Sequence, residues 1–141
     1  RTKKQGYKPP AYWDNIGSIQ GKFDISLVAN GEIWSKDDAI NCSAQAKTSS
    51  LMLGRGVLAT PNLANVIKYN SDVYCWNDIS ELLQTYSQIE REGDNSYYFS
   101  SRLKQWLKYL KIQYPQAEQL FQQIKTLKDK EEILNILIKT K

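Results

Sequence analysis

An α/β segment followed by an all-α segment is the organisation this sequence predicts. Two observations carry it. Continuous apolar and β-branched runs ending near glycine occur only before about Thr60, and from there to Lys141 the apolar residues recur at helical spacing. The length, 141 residues with ordinary apolar and charged fractions, suits one domain or a little more.

The elements follow in order. "YWDNIGSIQGK" (Tyr12 to Lys22) spaces Trp13, Ile16 and Ile19 three apart and predicts a weak helix. "DISLVANGEI" (Asp24 to Ile33) and "SSLMLGRG" (Ser49 to Gly56) read as strands buried on both faces, as in parallel sheets. Between them, "SKDDAINCSAQAK" offers Ser35 as an N-cap with Asp38 three residues on, then Ala39, Ile40 and Ala44 at helical spacing. Strand, helix, strand makes a βαβ unit.

Everything beyond reads as helix. Thr60 can cap a helix with Pro61 at its first position, running to about Tyr69. "WNDISELLQTYSQIEREG" puts Ile79, Leu82, Leu83, Tyr86 and Ile89 on one face and stops at Gly93. "NSYYFSSRLKQWLKYLKIQY" stops at Pro115, "PQAEQLFQQIKTLK" follows, and "DKEEILNILIKTK" starts from an Asp cap. Four or five amphipathic helices with short connections predict a small bundle. The domains expected are residues 1–58 and 59–141.

Composition narrows the chemistry. A net charge of +4 and a pI near 9.0 suit nucleic acid or an anionic ligand without singling either out. The chain has no histidine, and Cys42 and Cys75 form no C-x-x-C pair, so neither a zinc site nor histidine-based catalysis is expected within this chain. Reduced thiols in a cytoplasmic protein are expected. No apolar run approaches the roughly 20 residues of a membrane span, and "RTKKQGYKPP" lacks a signal-peptide core. The chain starts at Arg1 and Met52 is its only methionine, so a piece of a longer protein is expected, by cleavage or truncation.

The Gly54-Arg55-Gly56 triplet has two readings. Its glycines let a backbone approach an anion closely beside a guanidinium, which makes a phosphate seat. Alternatively they only turn the chain, with Arg55 in solvent. The neighbouring strand ends in Asn30 and Gly31, so two adjacent strand ends carry glycine and polar groups. In a (β/α)8 barrel the carboxyl ends of the strands carry the active site, and phosphate is often held after strands seven and eight.

Four stretches, "RTKKQGY", "VANGEIW", "LMLGRGVLATPNL" and "RLKQWLKYL", resemble the tRNA-dihydrouridine synthases, flavoenzymes that reduce uridine in tRNA, over essentially the whole chain. The third and fourth, with Glu32 where many members have Asp, look most like the bacterial C-type subgroup, which acts on uridine 16 of the D-loop. The resemblance implies the last part of an FMN-binding TIM barrel to about residue 58, then a helical tRNA-binding domain. It implies flavin contacts at Asn30, Gly31 and Glu32 and phosphate binding at Gly54 and Arg55. It further implies FMN reduced by NADPH, and a catalytic cysteine that neither Cys42 nor Cys75 matches. This stretch alone is therefore expected to be inactive.

The RNA side also rests on spacing. At roughly 100° per residue, Phe99, Leu103, Trp106, Leu107 and Leu110 share one helix face, with Lys104, Lys108 and Lys111 on the face away from it. Tyr98, Arg102, Gln105 and Tyr109 form a third strip, suited to stacking on bases and gripping phosphates. A lysine stripe is also what an ordinary solvated face looks like. From Asn95 onward nine Lys or Arg face four Asp or Glu, a net excess of five positive charges. The subgroup resemblance implies tRNA contacts at Arg102, Lys104, Tyr109 and Lys125, with Tyr7 on the barrel side. A stand-alone RNA-binding module and a piece of another FMN-dependent barrel are the competing readings. Two or three barrel strands cannot close a sheet, so self-association through the incomplete barrel is expected.

Overall fold

The computed structural model of the chain describes residues 8–89 and 96–139, together with Lys4 and Gly6. It is mostly helical, with a small parallel sheet. In chain order the described elements are α1 (Trp13–Gly17), β1 (Ala29–Asn30), α2 (Lys36–Ala46), β2 (Leu51–Met52), α3 (Gly56–Ala59), α4 (Leu63–Tyr69), α5 (Trp76–Ser87), α6 (Ser96–Leu110), α7 (Pro115–Ile124) and α8 (Lys130–Lys139). The chain divides into two compact units, one of Arg1–Val57 with Asn62–Asp72 and one of Leu58–Pro61 with Val73–Lys141.

In the first unit, β1 and β2 run parallel, pairing Ala29 with Leu51 and Asn30 with Met52. The helix between them starts where the sequence places it. Ser35 accepts from the Asp38 N–H while the Asp38 carboxylate accepts from the Ser35 N–H, a reciprocal cap that satisfies two otherwise orphaned donors. From that start α2 turns Ala39, Cys42 and Ala46 inward against Ala29 and Ile33, with Trp13, Ile16, Leu51, Leu53 and Ile67 packed around them. Burial pushes the Cys42 thiol above its ordinary pKa, as expected of a packing cysteine.

The strands are shorter and less covered than expected. Paired backbone is confined to two residues on each strand, and Ile25, Val28 and Met52 are exposed. Only Ala29 of the two strands is buried, so among the described residues of this unit the apolar runs around it find no second covering layer. The weak helix also ends early, at Gly17, and leaves Ile19 exposed.

The second unit has one apolar core. Ile79 and Leu83 of α5, Phe99, Leu103, Leu107 and Leu110 of α6, Ala117, Leu120 and Ile124 of α7, and Ile133 and Leu137 of α8 are buried together with Tyr114. Each helix contributes residues three or four apart, the condition for a helix to bury one face. Trp106 packs at the edge of this core, where its indole meets Tyr86 edge-on at 5.6 Å and donates to the Leu58 carbonyl at 3.0 Å. Asp129 caps α8 through the Glu132 N–H at 3.0 Å, as the sequence suggests.

Two boundaries differ from expectation. The helix expected from Pro61 begins at Leu63, because Gly56–Ala59 forms its own short turn of helix and Thr60 and Pro61 lie between the two. Helix α5 ends at Ser87, which leaves Ile89 outside it and exposed; the expected stop at Gly93 lies outside the described residues. Cys75 caps the start of α5 with Asp78, whose carboxylate accepts from the Cys75 N–H at 2.8 Å.

Candidate functional site

The parallel pairing of β1 and β2 brings two turns side by side, because both chains leave the strands in the same direction. One turn carries Gly31 and Glu32, the other Gly54 and Arg55. Gly31 has φ +113°, open to glycine and strained for other residues, and Trp13 Nε1 donates to its carbonyl at 2.9 Å. Glu32 follows at φ +52°, a left-handed conformation that costs a non-glycine residue about 1–2 kcal/mol.

That turn aims the Glu32 carboxylate at the second strand end. Oε1 accepts from Arg55 Nη2 at 2.8 Å, and Oε2 accepts from Trp34 Nε1 at 2.9 Å. The Arg55 guanidinium also lies over the Trp34 ring, 5.5 Å from its centroid. Half of the Arg55 side chain, 49 %, remains exposed, against 18 % for Glu32. Beside it, a Cβ on Gly54 would meet nothing within 4 Å, so the backbone there faces open space. A half-open guanidinium next to an uncovered glycine backbone fits an anion with several oxygens, a phosphate group above all. Asn30 is exposed at the end of β1. Asn30, Gly31, Glu32, Gly54 and Arg55 thus gather at one end of the sheet.

Trp34 is the contributor the sequence reading missed. Its backbone N–H donates to Asp38 Oδ2 at 3.0 Å, so the cap that starts α2 also fixes the tryptophan that holds Glu32. The spacing signal was present, since Trp34 stands two residues after Glu32 in "NGEIW".

The lysines of α6 lie away from its buried face, as their spacing predicts, and each also has a partner on the neighbouring segment. Lys108 and Lys111 are exposed and Lys104 is half-buried, and all three also reach α7 or the turn after it: Lys104 Nζ donates to the Leu127 carbonyl, Lys108 lies over the Phe121 ring at 5.9 Å, and Lys111 pairs with Glu118 at 2.8 Å. Partner numbers fall as lysine numbers rise, the register of two antiparallel helices. Lys111 and then Gln122 hold the Glu118 carboxyl below the usual carboxylate range. Burial, and then the neighbouring Lys128 ammonium, push the Lys104 pKa down.

Arg102 and Tyr109 do share a strip of α6. Arg102 is exposed, donates to Gln105 Oε1 at 2.9 Å and lies over the Tyr98 ring at 5.2 Å; Tyr109 is half-buried. Lys125 is exposed just beyond α7, where Nζ donates to Gln122 Oε1 at 2.8 Å. Lys128 and Lys130, not singled out from the sequence, lie over the Tyr97 and Phe99 rings at 5.8 and 5.5 Å. Tyr7 lies outside the described residues. Among the described residues no group of three or more His, Cys, Asp or Glu could hold a metal ion, and no helix is long and apolar enough to cross a membrane.

The family model described as dihydrouridine synthase (Dus) matches residues 1–141. The chain belongs to the dihydrouridine synthase family. It is 44 % identical over 137 residues to the tRNA-dihydrouridine(16) synthase of Shewanella oneidensis, covering 97 % of this chain and 44 % of the relative. The enzyme of the same name from Escherichia coli K12 is 41 % identical over 134 residues, or 94 % of this chain and 42 % of that one. Vibrio vulnificus has another, 43 % identical over 138 residues, again 97 % of this chain and 43 % of the relative. The chain therefore spans less than half the length of the curated relatives it matches.

Within this dihydrouridine synthase chain, Lys104 has a measurable structural role. Lys104→Met keeps the aliphatic stem but strands the Leu127 carbonyl, and it is expected to destabilise the second unit by about 1–2 kcal/mol. Thermal denaturation of the two proteins checks this. An unchanged midpoint would show that the ammonium holds nothing.

Proposed function

We propose that this chain is the C-terminal part of a flavin-dependent synthase that converts uridine in tRNA to dihydrouridine, most closely of the type that acts on U16. Membership of the dihydrouridine synthase family supports the reaction class, and its relatives, tRNA-dihydrouridine(16) synthases, support the position. On this reading residues 1–58 complete an FMN-binding TIM barrel, residues 59–141 form a helical-bundle tRNA-binding domain, and the enzyme works in the cytoplasm. The observation that carries the reading is the juxtaposition of Asn30, Gly31 and Glu32 with Gly54 and Arg55 at the carboxyl ends of two paired parallel strands.

Arg55, with the open backbone at Gly54, would hold the phosphate of FMN, Asn30 and Gly31 would line the approach to its ring, and Glu32, paired with Arg55, would belong to the same cofactor site. FMN, recharged by NADPH, supplies the hydride for the uracil ring. The catalytic cysteine is assigned to a part of the enzyme outside this sequence, so the chain alone is inactive and self-associates through its open sheet. Arg102, Tyr109 and Lys125, exposed or half-exposed, take tRNA phosphates and bases, with Tyr7 on the barrel side and Lys104 adding field from a fixed position.

tRNA binding by this chain at low and moderate salt, with flavin absorbance recorded on the same sample, tests the reading. Each phosphate contact adds about 0.7–0.9 to the slope of log affinity against log salt. Arg102→Glu and Lys125→Glu are each expected to lower that slope and to weaken binding about tenfold, with unchanged melting. Steep salt dependence without flavin would mark the helical part as an autonomous RNA-docking domain. Unaltered tRNA affinity in both variants would remove these residues from the RNA surface.

A further inference from the structure

We infer that Glu32 and Trp34 are positioning residues for Arg55, which they hold aimed at the phosphate of a bound flavin mononucleotide. This rests on the reading of Gly54 and Arg55 as the phosphate seat. A free arginine side chain has several rotatable bonds, and fixing it on an anion costs entropy at the moment of binding. Here that ordering is already made. Glu32 Oε1 takes Nη2 at 2.8 Å, the Trp34 ring lies under the guanidinium at 5.5 Å, and Trp34 Nε1 holds the other carboxylate oxygen at 2.9 Å.

The carboxylate is in turn fixed from behind. Trp34 is tied to Asp38 through its backbone, and the Glu32 backbone keeps its left-handed turn behind the Trp13-anchored Gly31. Glu32 meets the fork through Nη2, and half of the arginine side chain stays open. Five donors serve a guanidinium, so one pair with a carboxylate leaves others for phosphate oxygens. A network from the α2 cap through Trp34 and Glu32 to Arg55 has no equivalent need in a turn that merely reverses the chain.

The inference separates FMN from riboflavin, which differ by the phosphate monoester alone. The test is titration of the flavin-free form of the complete enzyme that carries this sequence, followed by flavin fluorescence, with each variant's melting recorded. Glu32→Gln is expected to weaken FMN binding about fivefold to tenfold and to leave riboflavin within about twofold. Trp34→Phe keeps a smaller aromatic face, loses the N–H, and shifts FMN the same way by less. Arg55→Gln should cost FMN about tenfold or more, and adding Glu32→Gln to it should do nothing further, since the two act as one unit.

Equal weakening of riboflavin would overturn the inference by making Glu32 a contact of the flavin ring or a general structural prop. So would unchanged or tighter FMN binding in Glu32→Gln and Trp34→Phe, the mark of a carboxylate that is idle or competes with phosphate. Both results leave the phosphate seat standing if Arg55→Gln still weakens FMN. An Arg55→Gln variant that binds FMN normally would instead refute the seat itself.

Discussion

Gly56→Ala is expected to destabilise the first unit by about 3 kcal/mol or more and, with FMN bound as proposed, to abolish tight FMN binding by the complete enzyme. A Cβ there would lie 2.1 Å from the Ile33 carbonyl oxygen and 3.0 Å from Leu63 Cδ2. The first of these atoms is backbone, tied to the turn that carries Glu32 and Trp34, so it cannot swing aside as a long side chain would. Relief must come from moving the segment after β2 away from the segment after β1, which separates Arg55 from Glu32. Gly54 provides the control, since a Cβ there meets nothing within 4 Å. Gly54→Ala should leave melting within about 0.5 kcal/mol of the parent while weakening FMN, because it fills the space a phosphate would take. Thermal denaturation and flavin titration of both variants check this. Gly56→Ala melting like the parent would mean that the two turns are not in close contact.

How much of this was legible in the sequence depends on the range of each interaction. The α2 start was legible because a cap is local: Ser35 and Asp38 are three residues apart, and both halves of the bond appear. The buried face of α6 was legible for the same reason, and Leu103, Leu107 and Leu110 are all fully buried. The strands were over-read. An apolar run such as that holding Ile25 and Val28 reports that a covering partner is wanted, not that the partner lies in the same unit, and both residues are exposed.

The lysine stripe was legible in its place on the helix, with Lys108 and Lys111 exposed, but not in its partners. Periodicity placed Lys104, Lys108 and Lys111 together, but only the antiparallel register of α7 decides that they reach Leu127, Phe121 and Glu118. Glu32 and Arg55 were both chosen as site residues from the sequence, yet their ion pair joins positions 23 apart and has no local signature. Trp34 was missed because an indole beside an acidic residue is as consistent with packing as with support of a charge.

Leu107→Ala is expected to cost the second unit about 2–5 kcal/mol, through the lost transfer free energy and the cavity left in a core that cannot fully collapse. Leu107 has no exposed surface and lies among the buried residues of α5, α6, α7 and α8. Whole domains are stable by only about 5–15 kcal/mol, so one such cavity removes a large part of what holds the helices together. Ile112, 63 % exposed just beyond α6, is the matched control, and Ile112→Ala should stay within about 0.5 kcal/mol. Thermal or urea denaturation reads the difference, and a Leu107→Ala midpoint equal to that of Ile112→Ala would dissolve the assigned core. Where the helical part binds tRNA as proposed, Leu107→Ala and Lys125→Glu separate two ways of losing it. Lys125→Glu removes a surface charge, so its deficit should persist at every temperature below melting and shrink with salt. Leu107→Ala removes the frame on which Arg102 and Tyr109 are displayed, so its deficit should follow the unfolded fraction and disappear on cooling into the folded range. A salt-sensitive loss in Leu107→Ala at full folding would place that residue's effect on the RNA surface and not in the core.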